Sequence, residues 1–250
     1  MSPTPRQAGV MTTSAQQTHV VLVPGFWLGA WAWDDVVPHL EASGLTPHPV
    51  TLPGLDDVTT DRSRLTREDH VQAVRDVIAA LDGDVVLVGH SGGGPVIHEV
   101  VDRDPARIRR TVHVDTGPLV DGASLSPDLP AGTVEIPLPS WDELAAAGSS
   151  LDGIDDAGLA RFRARAVPHP GGVAGGRVHV SDPARLEVPA TVICTSLPSE
   201  VLKTMAHPGP PLHTELGELD VTYVDLPTGH WPMFSRPADL AAEIVRAARA

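Results

Sequence analysis

Ser91 stands in Gly89-His90-Ser91-Gly92-Gly93, directly after the apolar run at 85–88. A serine hydroxyl becomes a nucleophile when a sharp strand-to-helix turn exposes it and a nearby base takes its proton. Both flanks of such a turn are present: β-forming residues lead into it, and Val96, Ile97, Val100 and Val101 follow at helical spacing. Gly89 and Gly93 let the two elements pack closely. With the helix starting at Ser91, its unpaired N–H groups would face a developing oxyanion.

Acyl chemistry needs a second donor for that oxyanion. The stretch VLVPGFWLGAWAWDDVVPHL at 21–40 reads as strand, Pro24-Gly25 turn and a helix entered at about Ala30. In that layout the backbone N–H groups of Phe26 and Gly92 form the pair. Trp27 on the turn is a candidate pocket wall, together with His90, Trp141 and Trp231. Trp31 and Trp33 read as core.

The base has to come from 12 histidines. His39, His48, His70 and His98 fall on helix or strand faces, and His169, His179, His207 and His213 in loops. No pair has a zinc-binding spacing, so no metal is expected. His230 differs. It lies in VDLPTGHWPMFSRPADL, past the last strand and before the closing helix, at the carboxyl edge of the sheet on the side of Ser91.

Those residues need a frame. Apolar runs at 19–23, 48–52, 84–89, 111–115, 190–195 and 221–226 read as strands. Several are continuously hydrophobic, as expected when helices cover both faces of a parallel sheet. Helical patterns occupy 30–43, 66–82 (opened by a Thr66/Asp69 cap), 93–104 and 236–250, with Pro237 in the first turn of the last. The alternation predicts an α/β fold with a doubly wound, mostly parallel sheet in one domain over 18–250. Residues 116–189, rich in Pro, Gly and Asp, interrupt it with helical pieces around 141–147 and 157–166. They read as a small helical lid inserted after the strand ending near Asp115 and folded over the site edge.

The bulk properties narrow the partners. A net charge of −14 repels a phosphate backbone, which disfavours nucleic acid. The one cysteine, Cys194, lies in ATVICT and reads as a buried structural thiol. Residues 1–17 are polar with no apolar segment of a secretory signal and read as a disordered tail, with Met1 or Met11 as the start. No apolar run reaches the roughly 18 residues that span a bilayer, so no membrane association and a cytoplasmic location are expected. Nothing in the pattern sets the oligomeric state.

The order of strand, Pro-Gly turn, Gly-His-Ser-Gly-Gly elbow, lid and late Gly-His resembles the α/β-hydrolase superfamily over 19–249. PGFWLGAWAWDDVVPHLEASG and the short lid are similar to the branch of plant hydroxynitrile lyases, methylesterases and their bacterial relatives. The resemblance implies a Ser-His-acid triad, an acyl-enzyme intermediate released by water, a small-molecule acyl substrate and no cofactor. It also implies an acid after the penultimate strand, in a form like Cys-Thr-x-x-Asp. Here that stretch is ICTSLPSEVLKT and the matching position is Pro198, which cannot orient an imidazole. Two carboxylates remain. Asp115, at the end of TVHVD, is favoured, and Glu200 is the alternative. Two other uses of the frame stay open: a cyanohydrin lyase, which the resemblance pairs with a pocket lysine and for which only Lys203 is present, and a binding or receptor module without catalysis.

Overall fold

The computed structural model describes residues 17–205 and 214–250. The tail expected at 1–17 falls outside them as far as residue 16, as do His207 and His213.

Eight strands form among the described residues: β1 (Thr18–Val23), β2 (Thr46–Pro49), β3 (Asp84–His90), β4 (Ile108–Val114), β5 (Glu135–Ile136), β6 (His169–Pro170), β7 (Ala190–Cys194) and β8 (Val221–Asp225). Six of them make one sheet in the order β2-β1-β3-β4-β7-β8, every neighbouring pair parallel. The helices are α1 (Val37–Ala42), α2 (Arg67–Ala79), α3 (Gly93–Arg103), α4 (Trp141–Ala146), α5 (Asp156–Arg165), α6 (Gly171–Ala174), α7 (Ser199–Met205), α8 (Pro232–Ser235) and α9 (Pro237–Arg249).

Alternation along each strand divides the core in two. Val20, Leu22, Val86, Val88, Val112 and Val114 point to one face, where Leu40 of α1 and Leu240, Ala241 and Ile244 of α9 cover them. Val21, Val23, Val85 and Leu87 point to the other, beneath Val71, Val74 and Ile78 of α2 and Val96, Ile97 and Val100 of α3. This two-sided cover explains why the strands read as unbroken apolar runs. It also fixes every strand's carboxyl end at one edge of the sheet.

Three local expectations differ from the structure. The helix read over 30–43 is a short 3₁₀ helix at Ala30–Trp33 followed by α1. Pro38 sits in the first turn of α1, where its missing N–H costs nothing, whereas a continuous helix would lose a bond there. The second strand lies at Thr46–Pro49 and not 48–52. It is an edge strand, and an edge tolerates prolines at 47 and 49. α3 begins at Gly93, two residues later than the elbow serine. The cap on α2 forms as read, with Asp69 accepting from the Thr66 N–H at 2.8 Å.

Insertion 116–189 contains α4, α5, α6 and the antiparallel β5–β6 pair. Two of its backbone bonds seize the turn after β1: Val167 N–H donates to the Trp27 carbonyl at 3.0 Å, and the Trp27 indole N–H donates to the Ile136 carbonyl at 3.0 Å. Two more grip the loop after β8, from His230 N–H to Ser150 O at 2.7 Å and from Gly229 N–H to Asp152 O at 3.0 Å. A β-carbon on Gly229 would stand 2.6 Å from the Ser150 carbonyl, so only glycine permits this approach.

The interior is loaded with neutral imidazoles. Burial pushes His70 down to about 4 and His90 and His113 to about 3, and holds His169 well below its ordinary value. Below pH ~6.5 the unfolded chain binds protons on these four and the folded chain does not, so stability is complete above that pH and falls with acid. Glu99, raised to about 7 by burial against the pull of Arg67 and Arg103, works in the opposite direction and offsets one of them. The imidazoles outnumber the carboxyl, so stability is predicted to fall as pH drops from ~6.5 towards ~5. Urea unfolding at pH 7, 6 and 5 checks this; a midpoint that does not move would contradict it.

Candidate active site

Only three non-glycine residues among those described have a left-handed backbone: Trp27 at φ 65°, Ser91 at φ 47° and Asp115 at φ 47°. They follow β1, β3 and β4, three adjacent strands of the sheet. Such conformations are strained for residues with a β-carbon and persist where surrounding bonds overdetermine them.

At Ser91 the overdetermining bonds are the Ser91 N–H to the Val114 carbonyl at 3.1 Å and the Gly94 N–H to the Ser91 carbonyl at 2.9 Å. Close packing of the elbow needs a bare α-carbon at residue 93, because a β-carbon there would come within 2.7 Å of the Val23 carbonyl. The hydroxyl so presented lies 2.9 Å from His230 Nε2.

The other nitrogen of that ring, Nδ1, lies 2.6 Å from Asp115 Oδ2. The structure therefore brings Ser91, His230 and Asp115 into one hydrogen-bonded chain. Asp115 is held from β7 as well: its Oδ1 accepts from the N–H groups of Thr195 at 3.2 Å and Ser196 at 3.0 Å, and its Oδ2 from the Ser196 hydroxyl at 2.5 Å. Burial alone would raise this carboxyl. The hydrogen bond and charge of His230, with the two Ser196 donors, outweigh it and hold the group well below the usual carboxylate range. Asp115 is thus an anion at every pH where the imidazole could use one.

Glu200 is not brought to the histidine. Its side chain is 82% exposed on α7 and accepts from Lys203 Nζ at 2.7 Å. The same bond, with the Tyr223 ring 5.4 Å away, pairs the chain's one lysine, Lys203, with Glu200 on α7. Pro198 accepts from Val201 N–H at the start of α7.

The turn after β1 closes with Leu28 N–H on the Gly25 carbonyl, with Phe26 and Trp27 as its central residues. The Phe26 ring lies against the α-carbon of Gly92, so the two expected oxyanion donors belong to segments in contact. Neither N–H donates to a backbone carbonyl in the turns and loops of the described residues.

Two expected pocket walls are corrected. Trp231 is 2% exposed and packs edge-on against Phe162 inside the core, because α8 turns it inward immediately after His230. His90 is fully buried, and its Nε2–H donates to the His230 carbonyl at 2.8 Å. It is a strut under the histidine loop. Trp141 is half-buried with the Arg163 guanidinium 4.0 Å over its ring, and Trp27 is half-buried at the turn. Sequence reasoning missed Ser196 entirely. It is one of several small residues in ICTSLPSE, and only the pairing of β4 with β7 brings the segment that carries it to Asp115. Among the described residues no group of three or more His, Cys, Asp or Glu could hold a metal ion, and no helix is long and apolar enough to cross a membrane.

Comparison with known proteins agrees with this architecture. Methylesterase 3 of Arabidopsis thaliana is 32% identical over 149 residues, covering 58% of this chain and 52% of that protein. A carbendazim hydrolyzing esterase of Nocardioides sp. is 37% identical over 118 residues, 44% of this chain and 46% of that protein. The chain spans between 30% and 52% of the length of such curated relatives. A solved methylesterase from Arabidopsis shares the fold at a TM-score of 0.72 with 19% identity, covering 93% of this chain and 99% of that one. The model of the α/β hydrolase family matches residues 20–243, from β1 into α9, and to that family this chain belongs.

Proposed function

We propose that the protein is a serine-dependent carboxylic ester hydrolase acting on small acyl compounds. One observation carries the reading: the unbroken chain from Ser91 Oγ through both nitrogens of His230 to Asp115 Oδ2, at 2.9 and 2.6 Å. Relatives named as methylesterases and a carbendazim hydrolyzing esterase support it.

In this reading His230 Nε2 takes the Ser91 proton as Oγ attacks the ester carbonyl. The N–H groups of Phe26 and Gly92 hold the oxygen that becomes negative. His230 then gives the proton to the departing alkoxide, and a water, activated by the same nitrogen, releases the acid from Ser91. Asp115 keeps the proton of His230 on Nδ1 and stabilises the imidazolium formed in each half. A protein anchored this way needs neither a metal nor an organic cofactor for the chemistry.

Hydrolysis of p-nitrophenyl acetate tests the assignment. Ser91→Ala should reduce kcat at least ~10³-fold, and Asp115→Asn by up to ~10⁴-fold, since the amide favours the wrong tautomer. Glu200→Gln should stay near wild type. A Glu200→Gln loss larger than that of Asp115→Asn would move the acid to α7 and refute this arrangement.

Ser196 has a smaller part, as a donor that orients the acid. Removing a hydrogen bond to a charged group weakens the arrangement by about 1.5 kcal/mol. Ser196→Ala should therefore lower kcat roughly tenfold with KM little changed. Ser196→Thr, which keeps the hydroxyl, should recover most of it. An unchanged kcat in the alanine variant would remove this role.

A further inference from the structure

The catalytic chain borders a space that the chemistry itself does not use. A cavity of about 350 Å³ opens between the segment after β4 and the segment after β7, and Asp115 and His230 form part of its wall. At interior packing density it has room for roughly a dozen non-hydrogen atoms. Much of the remaining wall is apolar, with Leu119, Leu125, Ile193, Leu197, Leu202 and Leu216. Among the described residues of its wall the ionisable side chains of acid and imidazole type are Asp115 and His230, which are hydrogen-bonded to each other. A bound group with its own charge would find no free counter-charge among them, so the space suits a neutral, apolar one.

Its position says which half of an ester it faces. The expected oxyanion donors lie at the ends of β1 and β3, and the imidazole of His230 bridges from Ser91 after β3 to Asp115 after β4. The cavity continues in the same direction, over β4 and β7. In acylation the bond from Ser91 Oγ to the carbonyl carbon forms and the bond from that carbon to the alkoxy oxygen breaks. The proton lost by Ser91 passes from His230 Nε2 to that oxygen, giving a free alcohol. The alkoxy oxygen must therefore stand against His230, and the group attached to it extends past the imidazole.

We propose that this cavity receives the alcohol half of the substrate, making neutral esters of bulky apolar alcohols, such as arylmethyl or branched alkyl alcohols, the preferred class. The proposal rests on the hydrolase reading above and adds to it a direction across the site.

Two ester series separate the halves. In one, acetate is held constant while the alcohol changes from methyl to benzyl to 1-naphthylmethyl; in the other, methyl esters carry acetyl, phenylacetyl and 1-naphthylacetyl groups. None of these alcohols is an activated leaving group, so differences report binding in the transition state. The expected result is a rise in kcat/KM of about 10- to 100-fold along the alcohol series and a smaller rise along the acyl series. Ala147 lines the cavity from an exposed position at the end of α4, so Ala147→Trp can narrow the space without disturbing the core. It should lower the ratio of naphthylmethyl to methyl acetate hydrolysis at least about fivefold. A flat alcohol series, or a steeper acyl series, overturns the assignment while leaving an active esterase. No turnover of any ester removes the hydrolase reading itself, and the cavity's role with it.

Discussion

Everything at the site depends on three residues holding a backbone conformation that side chains disfavour. Trp27, Ser91 and Asp115 each turn the chain sharply at a strand's carboxyl end, at a cost on the order of 1–3 kcal/mol apiece. In each case a neighbouring segment supplies the restraint. Lid residues bind both the carbonyl and the indole of Trp27. The end of β4 accepts from the Ser91 N–H, and the Asp115 N–H donates to Ile193 of β7 at 2.9 Å. The parallel sheet thus does more than carry the loops: strand pairing fixes the turns at Ser91 and Asp115, the lid fixes the one at Trp27, and the first two bring a hydroxyl and a carboxylate to one imidazole.

Seen from this constraint, the placement of the acid follows. In the resembling family the carboxylate is expected after the penultimate strand, and here that position is Pro198. Asp115 reaches His230 from one strand nearer to Ser91, and the segment after β7 contributes hydrogen-bond donors to it instead of a carboxylate. Three of these, from Thr195 and Ser196, leave the carboxylate both oriented and anionic in a mostly buried place. Burial of an unassisted carboxyl would have had the opposite effect on its charge. The lid has a comparable structural part, since it bonds directly to the Trp27 turn and to the His230 loop. A movement of the lid would displace both at once.

Much of this was legible before any coordinates. Five of the six strands of the main sheet were read in place from their apolar runs, while the edge strand at Thr46–Pro49, with prolines at 47 and 49, was placed too late. Ser91 and His230 could be read from local context, a strand-turn-helix and a late loop histidine. Asp115 was favoured over Glu200 from the sequence, but its contact with His230 depends on which strand lies beside which, a long-range property. Ser196 and the strut at His90 were hidden for the same reason. Trp231 was misread because a residue next to a site histidine is easily taken for a wall, while the inward turn of α8 that buries it leaves no mark in local composition. The β5–β6 pair is two residues long on each side and falls below what periodicity can detect.

The central claim is that this geometry makes Ser91 an activated nucleophile. Treating the purified protein with a fluorophosphonate and measuring its intact mass tests that claim without knowledge of the substrate. The account predicts one adduct per chain on the wild type, none on Ser91→Ala and none on His230→Ala over the same time. A folded wild type that takes up no reagent, or a Ser91→Ala variant labelled as fast as wild type, would contradict it.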